Sequence, residues 1–190
     1  MSRRQRVVLV AGTSGGVGAT TVTALLFSSL GAPELRDHTG GDLGARLTGG
    51  DDVPQVDSAL VLHDLGPHAR GPLLDRLEEP GTFGVVVAPT TPAGFAAAEK
   101  VLADVRDRHG AAGLRRVLVA LVGVFGSHPT SRPTEALENG FGRRSVVVIP
   151  RDAALAAGGR VPLNRLSRDS RRAQRTLSRY LEERLHNYTA

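Results

Sequence analysis

From Gly12 to Thr21 the chain runs Gly-Thr-Ser-Gly-Gly-Val-Gly-Ala-Thr-Thr. Glycines at 12, 15, 16 and 18 let the backbone wrap closely, so that successive N–H groups point inward at one anion. The Thr20 hydroxyl stands where a divalent cation escorting that anion would be met. A second group suited to such a cation is Asp64, which closes the apolar run Ala-Leu-Val-Leu-His-Asp from residue 59. Other chemistries are excluded or unsupported. The chain has no Cys, which rules out disulfides, thiolate zinc sites and thiol catalysis. Ser14 lacks the G-x-S-x-G frame of a hydrolase nucleophile. No His/Glu spacing suggests a metal, and His38 and His63 read as surface residues.

The elements that must position these residues follow from hydrophobic periodicity. Residues 6–11 (RVVLVA) form a short, continuous apolar run, as a buried parallel strand requires, and the glycine loop follows it directly. Residues 19–30 read as a helix stopped by Gly31 and Pro33. Further strands are expected at 59–64, 83–88, 117–124 and 145–149, and a weakly marked one at 34–38. Helical patterns lie at 70–79, 93–109 and 165–187. In the last, Leu166, Ala173, Leu177, Leu181 and Leu185 make an apolar stripe. Arg165, Arg168, Arg171, Arg172, Arg175 and Arg179 lie mostly outside it. Strands alternating with helices predict an α/β fold, a mostly parallel twisted sheet covered on both faces. No linker interrupts residues 1–190, so a single domain is expected.

Composition agrees. The 190 residues are 41% hydrophobic and 23% charged, which suits a packed domain and excludes a disordered tail. No apolar run approaches the roughly 20 residues of a membrane-spanning helix. Arg3, Arg4 and Arg6 before Val7–Ala11 mimic the start of a signal peptide, but the apolar stretch is too short and ends in glycines. A cytoplasmic address is expected. The net charge of +5 divides unevenly: +3 in residues 1–6, −3 in 7–150 and +5 in 151–190. A basic C-terminal segment on an acidic body invites an anionic partner.

The loop after the first strand resembles the deviant Walker A motif of the ParA/MinD family of P-loop ATPases, K-G-G-V-G-K-T-T. Ser14-Gly15-Gly16-Val17-Gly18-Ala19-Thr20-Thr21 matches six of its eight positions. Both mismatches are the lysines. Ser14 stands for the signature lysine that crosses the family's dimer interface to the partner's nucleotide, and Ala19 for the lysine that neutralises the β and γ phosphates. Leu60–Pro67 resembles the Walker B strand, with Asp64 as the magnesium carboxylate. Residues 85–92 resemble the family's next strand and loop, and Ile149-Pro150-Arg151-Asp152 its loop near the adenine. Thr39–Leu47 resembles the segment after the family's second strand, but the two aspartates usual there fall on Arg36 and His38, with Asp37 between them. The base-reading Asn after the 117–124 strand is replaced by Gly123 to Gly126. An ordinary turn would also use glycines, yet five landmarks in the family's order set this loop apart.

The resemblance implies ATP and magnesium as cofactors, held by residues 14–21, by Pro150, Arg151 and Asp152, and by Thr20 with Asp64 for the metal. Electrostatics weakens that implication. A lysine ammonium at about 4 Å offers roughly 4 kcal/mol before desolvation, whereas a helix dipole supplies about 0.3–1 kcal/mol per charge at exposed sites. Without both lysines, nucleotide binding is expected to be weak or lost, and γ-phosphoryl transfer more so. Arg36 or Arg46 would be a partial substitute, and sequence places neither. The expected function is a positioning or regulatory pseudo-ATPase with a degenerate site, as in the septum-site and TadZ-like branch. Its partner would be a secretion or division machine or an intact ParA/MinD-type ATPase, with a homodimer open. Two alternatives stand beside it: an active ATPase using non-standard residues, and a DNA-binding partition module using the Arg-rich helix. Peripheral membrane contact is not expected, because the core needs the helix's apolar face.

Overall fold

The computed structural model describes residues 5–31, 33–47, 59–124 and 130–187. Arg3 and Arg4, the acidic stretch 48–57 and residues 125–126 lie outside these. In chain order the elements are β1 (Arg6–Gly12), α1 (Ala19–Ser29), β2 (Glu34–Asp37), α2 (Asp42–Leu47), β3 (Leu60–Asp64), α3 (Pro72–Arg76), β4 (Thr82–Pro89), α4 (Pro92–Leu114), β5 (Val117–Val122), α5 (Ser131–Phe141), β6 (Val146–Ile149), α6 (Ala153–Ala156) and α7 (Arg168–Asn187). The strands form one parallel sheet in the order β2-β3-β1-β4-β5-β6. This is the α/β architecture that the alternating runs predict.

Strand side chains alternate between two apolar layers. Val8, Val10, Leu62, Val85, Val87, Leu118 and Ala120 face one side, where α1, α2 and α7 bury Leu25, Leu43, Leu177 and Leu181. Leu9, Ala11, Val86, Ala88, Val119 and Leu121 face the other, against Leu73 and Leu74 of α3 and Val101, Leu102 and Val105 of α4. All five residues of the predicted C-terminal stripe are buried, and the six arginines are exposed.

Several elements differ from expectation: the helix expected at 70–79 spans only Pro72–Arg76, and the C-terminal one begins at Arg168, after a short turn of 3-10 helix over Leu163–Arg165. The helix predicted to stop at His109 breaks at Gly110, whose φ of 61° and ψ of −159° are not helical, and resumes to Leu114. The strand expected to reach residue 124 ends at Val122. Helix α5 carries no sequence signal, because Pro133 and Gly140 interrupt it and Leu137 is its one buried residue.

The β1 strand lies in the sheet's interior, between β3 and β4, and its onward connection runs toward β2 at one edge, whereas that of β4 runs toward β5 on the other side. A crevice therefore opens beyond its carboxyl end, the usual place for a ligand in such sheets. The glycine loop begins there.

Candidate phosphate site

The loop is pinned at its base. The Gly12 N–H donates to the Gly66 carbonyl at 2.7 Å and the Thr13 N–H to Val87 at 2.9 Å, tying the loop to both neighbouring strands. Val17 tucks beneath, leaving Ser14, Gly15 and Gly16 exposed. At Gly18 the backbone turns left-handed (φ 94°, ψ 21°) to enter α1, a conformation that favours glycine. No side chain caps α1, and no acid lies in its first turn. By contrast, Thr91 caps α4 through the Gly94 N–H, and Asp152 caps α6 through the Ala154 N–H. The N-terminal N–H groups of α1 are thus left for an anion, with the helix dipole behind them.

Residues 14–21 all line one cavity of about 630 Å³, together with His38, Thr39, Asp42, Arg46 and His68. A neighbouring cavity of about 240 Å³ is lined by Pro150, Arg151, Asp152 and Gly123, and shares Gly16, Val17, Gly18, Thr21 and Arg46 with the first. The structure therefore brings the predicted loop and the predicted 150–152 turn to one place. Gly123 belongs there by packing. A Cβ on it would come within 2.4 Å of the Arg151 nitrogen, so no side chain fits where the resembling family carries its Asn. The Asp152 carboxylate is turned away to structural work, accepting from the N–H groups of Ala154 at 2.9 Å and Ser167 at 2.8 Å. Burial opposes its ionisation, but hydrogen bonds from Ser167, Ser170 and Ala154 outweigh that and hold its pKa below the usual range.

Asp64 is fully buried at the end of β3. One oxygen, Oδ1, accepts from the Gly66 N–H at 3.0 Å, while Oδ2 has no hydrogen-bond partner among the described residues. Burial pushes its pKa up to about 6. The Gly66 N–H and the facing Thr20 hydroxyl favour the charged form, whereas Asp37 and Asp42 oppose it. A buried carboxylate oxygen with no partner among the described residues, facing a threonine hydroxyl, fits a hard divalent cation. Asp37, which pairs in register with Asp64 across the strands, is not free to join it. Its carboxylate is spent on the turn into α2, accepting from Thr39 N at 2.7 Å, Thr39 Oγ1 at 2.6 Å, Gly41 N at 3.2 Å and Leu43 N at 3.3 Å.

The histidines depart from the surface expectation in one case. His38 is exposed, but His63 is half-buried. The two rings stack with centroids 5.1 Å apart, and His38 Nε2 lies 2.9 Å from His63 Nδ1. An Arg76 N–H reaches the same Nδ1 at 3.1 Å. Burial first, then Arg76, His38 and Arg36, push the His63 pKa down to about 4. A neutral imidazole whose Nδ1 accepts from Arg76 is the outcome. Among the described residues no cluster of three or more His, Asp or Glu has metal-holding geometry.

Three residues of the larger cavity escaped the sequence reading: His68, just past the β3 loop, and Gly158 and Gly159, which approach it from beyond α6. Arg46 was singled out there only as one of two possible substitutes. The contacts of the two glycines join segments more than a hundred residues apart, and no local pattern announces them.

No family model matches the chain, and no curated protein matches it. Solved structures do. The cell division ATPase MinD of Pyrococcus furiosus aligns over 94% of this chain and 98% of its own, with a TM-score of 0.61 and 17% identity. This is the MinD and ParA ATPase fold. A ParA family ATPase from Chlorobium tepidum aligns over 96% of this chain and 99% of its own (TM-score 0.54, 13% identity). A nucleotide-binding protein of Archaeoglobus fulgidus, solved with ADP and found to contain Co, aligns over 82% and 85% (TM-score 0.54, 16% identity). At these identities the likeness is one of fold. No helix among the described residues is long and apolar enough to cross a membrane.

Proposed function

We propose that this chain is a MinD/ParA-fold protein with a degenerate nucleotide site, a regulatory or positioning pseudo-ATPase that acts through a protein partner. The observation that carries the reading is the uncapped N-terminus of α1 beneath a glycine loop whose helix opens with buried Ala19 where the resembling motif has a lysine. The anion cradle persists, and its catalytic cation does not. Backbone N–H groups of residues 14–21 would hold the phosphates, and the cavity at Pro150, Arg151 and Asp152 the base. Thr20 and Asp64 would hold magnesium, which when bound supplies charge neutralisation. Without the two lysines the transition-state charge lacks its main counterweight, so binding outlasts hydrolysis. The partner would be a secretion or division machine, or an intact ATPase of the same fold, met in the cytoplasm.

Phosphate release by purified protein tests the chemistry, with Asp64→Ala as the contamination control. Background rates are expected. Turnover clearly above background that the variant abolishes would overturn the reading in favour of an active ATPase. Sedimentation with and without ATP and magnesium tests the interface: Ser14 cannot bridge to a partner's nucleotide, so nucleotide should drive no dimerisation. A monomer-to-dimer shift on adding nucleotide would count against the proposal, whereas a nucleotide-independent dimer agrees with it.

A further inference from the structure

Arg46 is the one permanent cation among the described residues that line the cavity over the glycine loop. It also lines the neighbouring cavity at residues 150–152, so it stands at their junction. Its backbone is held by its surroundings. It lies in the last turn of α2, whose start is fixed by the Asp37 carboxylate and whose Leu43 is fully buried in the core. The Arg46 carbonyl accepts from the Val161 N–H at 2.8 Å. On the side chain, Nη1 donates to the carbonyls of Gly159 at 3.2 Å and Leu155 at 3.4 Å. Both acceptors are neutral. Among the described residues no carboxylate lies within ion-pair distance of Arg46. The other arginine suggested by sequence is excluded on the same grounds, because Arg36 is exposed on β2, ion-paired with Glu34, and does not line the cavity.

We propose that Arg46 supplies, from α2, the positive charge that the loop itself lacks, so that a nucleoside polyphosphate is held between the α1 N–H groups and this guanidinium. The inference rests on the nucleotide-site reading above and adds the residue that neutralises the phosphates. A guanidinium remains protonated at any working pH and carries five donors. Among the described residues Nη1 alone is engaged, by the two carbonyls, and the remaining donors suit phosphate oxygens, the geometry arginine serves best. Because the phosphate and the carbonyls of Leu155 and Gly159 draw on one side chain, binding also alters the segment from 155 to 161.

The test is calorimetric titration of the full chain with magnesium ADP, magnesium ATP and, as a probe with phosphates alone, pyrophosphate. Arg46→Ala is expected to weaken all three by at least about tenfold, as loss of a charge-assisted contact does. Arg46→Lys should fall between. Adding Ala19→Lys to Arg46→Ala should recover most of the affinity, because the charge is returned from the loop. Hydrogen exchange of residues 155–161 should change on binding in the wild type and not in Arg46→Ala. Thermal unfolding checks that the variants fold, and if Arg46→Ala does not, Arg46→Gln takes its place. A folded Arg46 variant that binds like the wild type would refute this inference and leave the nucleotide reading intact. So would weakened binding that Ala19→Lys fails to restore, since that loss belongs to the ties with Leu155 and Gly159. If the wild type binds none of the three ligands, the nucleotide reading itself fails and Arg46 has no phosphate to neutralise.

Discussion

His63 and Asp64 are chain neighbours whose burial moves their protonation in opposite directions. Folded Asp64 keeps its proton up to about pH 6, whereas an unfolded Asp releases it near 3.8. Its contribution to stability is therefore present at low pH and lost as pH rises through that window. Folded His63 resists protonation down to about pH 4, while the unfolded residue takes up its proton near 6.5. Its contribution is present at neutral pH and lost as pH falls. The two slopes oppose each other, so stability should vary little from about pH 4 to 6.5. Asp64→Asn should break that balance. Denaturant melts at several pH values should show the variant losing stability on acidification, and standing about 2 kcal/mol above the wild type at pH 7.5 in metal-free buffer. His63→Gln should show the reverse slope. An Asp64→Asn profile parallel to that of the wild type would mean that the carboxylate is already solvated, and a flat one that His63 takes up its proton as readily folded as unfolded. Magnesium should offset the burial cost of Asp64, so its stabilising effect with nucleotide should fade below about pH 6.

At the scale of elements, α2 depends on a single carboxylate. Asp37 accepts four hydrogen bonds from the turn that launches the helix. Asp37→Ala should cost about 2 kcal/mol in denaturant melts and, by loosening α2, lower nucleotide affinity without removing a ligand group. Gly123→Ala should cost about 1–3 kcal/mol, because its Cβ meets the Arg151 backbone and no flexible side chain can yield. Strands β1, β4 and β5 were legible in the sequence because burial on both faces leaves valine-rich runs with no polar positions. The same sheet left β2 only weakly marked, because it lies at an edge and needs only Leu35 buried. Helix α5 was hidden altogether, since a helix with one buried side chain has no stripe to recognise. The glycine loop and Asp64 could be read locally. Arg46, Gly158 and Gly159 could not, because their relation to the loop exists only after the chain folds back on itself.

For the whole molecule, the charge asymmetry poses the question of DNA. The arginines of α7 and the turn before it are exposed, but Leu177, Leu181 and Leu185 of the same helix are committed to the core. Arg179 is partly offset by Glu183 at 3.9 Å. Duplex binding should be weak and vanish near physiological salt, with a log–log slope of about 0.9 per phosphate contacted. Fluorescence anisotropy across a salt series, comparing wild type with an Arg171/Arg172/Arg175 triple alanine variant, checks this. Submicromolar binding at physiological salt that the variant loses would favour a partition module. The sheet order carries a further consequence, in time. The β1 strand pairs with β3 and β4, so its first partner begins at residue 60 and its second at 82. At about 5–20 residues per second of synthesis, the strand that launches the phosphate loop waits several seconds for either neighbour. During that interval Val7–Ala11 is an unpaired apolar strand, so the segment on which the site is built is also the one most in need of a chaperone on the ribosome.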